Sequence, residues 1–238
     1  MANHRLTPRD MTALTILAEM YGAPMDRVAA LLGVKMTNAY RAVAKWRAMG
    51  MVSDVNVRPV PGPAWVFPTR IAVETLLPFH ANYWTPTPKM AAHVTASFDV
   101  RLALVGTDLE RWVSERELRS QVGPAKAGQA RPHIHDGRYW DEQDRLWAVE
   151  VELSQKKGAA VKTAVARAKR AAEAADCAGV LYFCKAGETH NGILSAARTL
   201  ASMPGPPVRV IDLNEVLHGS TTPRRPKLTV VKGDASVA

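Results

Sequence analysis

The sequence predicts an α/β fold (α+β overall), with a small helical front that ends in a β-hairpin and a larger α/β region built on a mixed central sheet. Three observations predict it. Apolar residues recur at helical spacing from Leu14 to Trp46. Short apolar runs at 145–153, 179–184 and 208–213 alternate with helix-like stretches, the order that builds a mixed sheet. Proline crowds at Pro78, Pro86 and Pro88, a composition that makes a stiff connector. The expected division is 1–78, a linker at 79–90, an α/β domain at 91–218 and a basic tail at 219–238.

Thr7-Pro8-Arg9-Asp10 opens the first helix. Thr7 caps it, Pro8 suits the first helical position, and Asp10 favours the positive end. Gly22 ends it. A second helix runs from about Met25 to Leu32, and Gly33 makes a tight turn. A third helix runs from about Thr37 to Met49, closed by Gly50. Helix, glycine turn, helix is the order of a helix-turn-helix. Ala39, Val43 and Trp46 form the buried face of the third helix. Thr37, Asn38 and Arg41 stand in its first turns, where such helices touch base edges; Tyr40 either packs or meets sugar and phosphate, and Lys45 lies off the buried face. Residues 51–58 and 64–67 read as two strands around a proline turn, with Arg58 at the tip.

Beyond the linker a helix is expected from about Ala91 to Val105. Residues 108–114 read as a turn and short strand, and Ser114 with Glu117 makes a capping box for the next helix. Residues 123–129 read as flexible, and 131–140 as a turn entering a strand. A lysine- and arginine-rich helix spans about Lys156 to Ala175, and another spans Thr189 to Met203. Lys162, Arg167, Lys169 and Arg170 are either a DNA-facing stripe or solubilising charge.

The chain of 238 residues carries 31 Lys+Arg against 22 Asp+Glu, a net charge of +9. That excess fits a polyanionic partner, with nucleic acid the usual one. Cys177, expected on a helix, and Cys184, at a strand end, lack metal-site or disulfide spacing and read as buried thiols of a reducing cytoplasm. No apolar run is long enough to span a membrane, and no secretory signal opens the chain, so no membrane association is expected.

The chemistry centres on Trp147-Ala-Val-Glu150-Val-Glu152-Leu-Ser-Gln-Lys156-Lys157. In a strand, Glu150 and Glu152 project to one face and Val149, Val151 and Leu153 to the other. Like charges side by side repel, so the face is either wet or holds a cation between the carboxylates. Asp136 precedes this strand on its partner. Two or three acids with a nearby lysine are the parts of metal-assisted phosphodiester hydrolysis: the carboxylates hold the ion, which polarises phosphoryl oxygen and activates water. The plainer readings are a turn for Asp136-Gly137, a solvated helix start for Lys156 and Lys157, and two surface histidines for His133 and His135, which otherwise serve as metal ligands or phosphate contacts.

On these residues the second region resembles the PD-(D/E)XK nuclease superfamily, and the hairpin behind the helix-turn-helix resembles the winged-helix family. More narrowly, the layout is similar to the replication-relaxation proteins of actinobacterial plasmids and phages. The matching stretches are residues 4–10, Ser114-Glu115-Arg116-Glu117-Leu118-Arg119, Arg131-Pro132 and 149–156. The resemblance implies double-stranded DNA as partner and Mg²⁺ or Mn²⁺ held by Asp136, Glu150 and Glu152. Lys156 would be the catalytic lysine, and Glu115 or Glu117 would supply an acid from the first helical region. Either His133 or Asp136 fills the family's aspartate position; Asp136 is preferred because Gly137 and a strand follow it. Glu152 stands where the nuclease signature has lysine, so the lysine would come from Lys156. Three readings follow: a DNA-binding protein of plasmid or phage replication or regulation with a degenerate nuclease domain, an active metal-dependent DNA endonuclease or nickase, and a protein-interaction module whose acidic strand face binds a partner, with no role for nucleic acid. The front helical domain has its own alternative, protein contacts or homodimerisation.

Overall fold

The computed structural model describes residues 5–124, 128, 131–156 and 158–218. The expected tail at 219–238, Lys157, His4 and most of 125–130 lie outside them. The fold is mixed α/β. The chain divides into two compact units, one of residues 1–110 with 114–121, the other of 111–113 with 122–238. The proline-rich stretch lies inside the first.

In the first unit, α1 (Pro8–Glu19) starts on a capping box: the Asp10 amide donates to Thr7 Oγ1 at 3.2 Å, and the Thr7 amide donates to the Asp10 carboxylate at 2.8 Å. Asp10 also receives Trp46 Nε1 at 2.8 Å and Lys45 Nζ at 2.5 Å. A single buried acid thus ties α1 to α3 (Met36–Ala48). Between them, α2 (Met25–Leu32) ends on Gly33 at φ 59°, the left-handed conformation glycine adopts without strain. Ala39, Val43 and Trp46 are buried, as the periodicity requires.

The expected strand at 51–58 does not form. Two isolated bridges, Val52 with Pro68 and Val57 with Trp65, take its place. Pro68 has no amide to extend a ladder, and Ser53, Asp54 and Asn56 are polar while Val55 stays exposed. Instead β2 (Trp65–Val66) pairs antiparallel with β1 (Ala23–Pro24). α4 (Arg70–Leu76), capped by Thr69, was not expected. α5 (Pro88–Val105) sets Ala91 and Val94 against Trp65 and Phe67. In α6 (Glu115–Val122), Ser114 Oγ accepts from the Glu117 amide at 3.2 Å, one half of the expected capping box, while the Glu117 carboxylate accepts from Gln121.

The second unit is a five-stranded mixed sheet in the order β3 (Trp112–Ser114), β4 (Gly137–Trp140), β5 (Leu146–Glu152), β6 (Gly179–Cys184), β7 (Val208–Asp212). β4 and β5 are antiparallel; β5, β6 and β7 are parallel. One face is covered by α7 (Ala159–Glu173) and α8 (Glu188–Thr199): Val161, Val165, Ala168, Ile193 and Ala196 pack on Ala148, Val180, Tyr182 and Val210. A short α9 (Leu213–His218) follows β7. Cys177 sits in the turn after α7, not on the helix, because α7 stops at Glu173; both thiols are buried. Asp136-Gly137 is no turn. Gly137 begins β4 because a Cβ there would stand 2.3 Å from the Trp112 ring, and the Asp136 amide already donates to Val149 O at 3.1 Å.

Candidate metal centre

The alternation of β5 puts Glu150 and Glu152 on the face of Ala148, the side that α7 and α8 cover. Their register partners on β6 are Tyr182 and Cys184, both buried. The two side chains are 13% and 11% exposed, so this is not a wet strand face. It ends at the carboxyl edge of the parallel strands.

The loop before β4 supplies the rest. His133 Nε2 lies 2.7 Å from Glu150 Oε1. His135, expected at the surface, is fully buried, with Nε2 3.1 Å from the Ala168 carbonyl of α7. A carbonyl only accepts, so Nε2 carries the proton and the lone pair sits on Nδ1. Arg138 Nε approaches that Nδ1 at 3.4 Å. One donor atom from each of His133, His135 and Glu150 lies within 4.8 Å of the others. Asp136 stands beside them, one carboxylate oxygen accepting from the Val151 amide at 2.7 Å. Its charge is felt at Glu150 and at His133.

Burial pushes Glu150 up to about 7, against the opposing pull of the His133 hydrogen bond. Burial would lower His133, but its bond to Glu150 raises it. Burial lowers His135 to about 4, so its imidazole is neutral at pH near 7. The Tyr182 hydroxyl, on the same face as Glu150, is buried and has no hydrogen-bond partner among the described residues. Burial and then the Glu150 charge raise its ionisation well above the tyrosine range.

The residues expected at the site meet different fates. Asp136 and Glu150 come together. Glu152 is engaged by Lys156 in an ion pair and by Ser154 Oγ at 2.8 Å. Lys156 precedes α7 and is within electrostatic range of Glu150. Glu115 and Glu117 belong to the first unit. There Glu115 bonds Arg119 and the Tyr21 hydroxyl, and Glu117 accepts from Gln121. Burial raises Glu117 above the usual carboxylate range. The sequence pattern did not single out Tyr182, whose relation to Glu150 depends on the β5–β6 register.

On α3, Thr37, Asn38, Tyr40 and Arg41 are exposed along one side, with Arg41 Nη1 3.4 Å from Asn38 Oδ1. Arg58 is also exposed. Lys45 is instead held by Asp10. On α7, Lys162, Arg167 and Arg170 are exposed, whereas Lys169 is buried with Nζ near Leu200 O. No helix among the described residues is long and apolar enough to cross a membrane. Comparison with known proteins finds no matching family model, curated protein or solved structure.

Proposed function

We propose that this chain is a double-stranded-DNA-binding protein of plasmid or phage replication or regulation. Its first unit acts as a winged-helix reader, and its second is a PD-(D/E)XK-like domain that no longer cuts through Mg²⁺. The observation that carries the reading is the convergence of Asp136, Glu150 and Lys156 at the carboxyl end of β5, where a nuclease of that kind keeps its machinery. The loss of cutting is supported by how those groups are occupied: Lys156 is paired to Glu152, and Glu150 is bonded to His133. Lys156, the lysine expected to steady an attacking water, is thus already engaged. Reading of DNA is supported by the exposed row Thr37, Asn38, Tyr40 and Arg41 on α3 and by the +9 net charge.

The test is a gel shift on duplex DNA across salt, with plasmid nicking followed in Mg²⁺ and in Mn²⁺. Binding that falls steeply with salt, without nicking, is the expected result. Binding that is absent or insensitive to salt rejects DNA as the partner and favours a protein-interaction or homodimer role. The second reading, an active endonuclease, is favoured by the electrostatic reach of Lys156 to Glu150. Nicking that Glu150→Ala abolishes while DNA binding persists would select it.

A further inference from the structure

We infer that His133, His135 and Glu150 form a binding site for a late first-row transition ion of the Zn²⁺ class, rather than for the hard Mg²⁺ that carboxylates alone would hold. The inference deepens the nuclease-like reading of the second unit and takes from it only the location of the site.

The donor set comes first. Two imidazoles and one carboxylate suit Zn²⁺ and its neighbours, whereas Mg²⁺ takes oxygen ligands and keeps several waters. The three donor atoms already lie within 4.8 Å of one another. Bonds of about 2.0–2.1 Å in a tetrahedron need donors about 3.4 Å apart, so small side-chain rotations suffice. The His133 Nε2–Glu150 Oε1 pair, at 2.7 Å, is already closer than that and opens to admit the ion.

The anchoring comes second. A ligating histidine almost always donates its other ring N–H to a carbonyl or carboxylate, which fixes the tautomer. The fully buried His135 does this to Ala168 O at 3.1 Å, leaving Nδ1 as the donor. The long Arg138 contact at Nδ1 gives way on binding, and Arg138 then turns to solvent or to an anion on the metal. Asp136, held by the Val151 amide, supplies negative charge beside the ion.

The third observation is the buried Tyr182 hydroxyl, which faces the same side as Glu150 without a partner among the described residues. A buried hydroxyl is costly to leave unsatisfied. A water or phosphate oxygen on the ion's open position gives it an acceptor. Three protein ligands and one open position make a site able to hold a DNA phosphate.

The full-length protein, stripped with a chelator, is titrated with Co²⁺ and followed by its visible spectrum, then with Zn²⁺ by calorimetry, with Mg²⁺ in large excess as competitor. One Co²⁺ per chain with the intense bands of a tetrahedral ion, displaced by Zn²⁺ and not by Mg²⁺, is expected. His133→Gln weakens Zn²⁺ by more than about 100-fold, beyond the 10–100-fold that losing a merely supporting group costs. Glu150→Gln is the second variant, used if circular dichroism shows that the first is unfolded. His80→Ala, in the first unit, leaves the affinity unchanged. No stoichiometric Zn²⁺ uptake, displacement by Mg²⁺, or wild-type affinity in a folded His133→Gln protein overturns the inference. Gel shifts on the same samples separate the two claims. Loss of DNA binding with Zn²⁺ still bound overturns only the DNA reading, and loss of Zn²⁺ with DNA still bound overturns only this one.

Discussion

Asp10→Ala is expected to destabilise the first unit by about 1.5–6 kcal/mol, and each part of that figure has a structural source. The carboxylate completes the capping box with Thr7, and loss of such a cap costs about 0.5–2 kcal/mol. It accepts the Trp46 indole N–H at 2.8 Å, and Trp46 is fully buried. With alanine there, that N–H has no acceptor, at about 1–3 kcal/mol. Lys45 loses a partner at 2.5 Å, but its side chain is 25% exposed and turns to water at no more than about 1 kcal/mol. For a unit of this size the loss lowers the melting temperature by about 10 °C or more.

Urea unfolding followed by tryptophan fluorescence measures the loss, and a double-mutant cycle with Trp46→Phe tests its cause. Phenylalanine has no N–H to orphan, so Trp46→Phe costs about 1–2 kcal/mol less in the Asp10→Ala background than in the wild type. A loss below about 1 kcal/mol, or a cycle that closes at zero, refutes the assignment of Asp10 as the tie between α1 and α3.

The remaining expectations concern charge, DNA and packing. Burial raises Glu19 from 4.5 to about 7, against the pull of Arg101. A carboxyl that binds its proton more tightly when folded stabilises the fold in acid, and that contribution is lost as pH rises through the folded value. The stability of the wild type relative to Glu19→Gln therefore falls by up to about 3 kcal/mol from about pH 5 to about pH 8. Parallel unfolding curves across that range would contradict it. Arg41→Ala weakens duplex binding and reduces the salt slope by about one. Lys45→Met acts mainly on stability, since Asp10 already holds its charge. Equal effects of these two on the gel-shift slope would reject the α3 face. Gly137→Ala places a Cβ 2.3 Å from the Trp112 ring and costs the second unit about 1–3 kcal/mol by denaturant midpoint.

Much of the fold is legible because its signals are local. Thr7-Pro8 fixes the start of α1, Gly33 the end of α2, and the apolar runs of β6 and β7 need only burial on both faces. The failures lie where partners are distant in sequence. Residues 51–58 alternate well enough for a strand, yet their partner segment begins at Trp65 and is broken by Pro68. The strand after Asp136 forms where it was expected, and the Trp112 ring lies where a Cβ on Gly137 would stand. At the site, the acids were visible from their spacing. The depth of His135 was not, because the carbonyl that anchors it comes from Ala168, 33 residues on and across the sheet face.

The charge at the end of β5 explains why an imidazole pair belongs there. Asp136, Glu150 and Glu152 gather three acids beside the buried Tyr182 ring and Cys184 thiol. Leaving all three ionised without cations in that setting is costly, since desolvation is not offset by bulk water. The protein answers part of this itself: Lys156 pairs with Glu152, the Val151 amide donates to Asp136, and His133 is hydrogen-bonded to Glu150. Exchanging the His133–Glu150 hydrogen bond for a divalent ion leaves neither group bare, because the ion draws on both at once. Removing His133 takes away a ligand and the hydrogen-bond partner of Glu150 together, whereas removing Lys156 leaves Glu152 its bonds from Ser154. That asymmetry is what places the exchangeable cation on the imidazole side of the cluster rather than between the two strand glutamates.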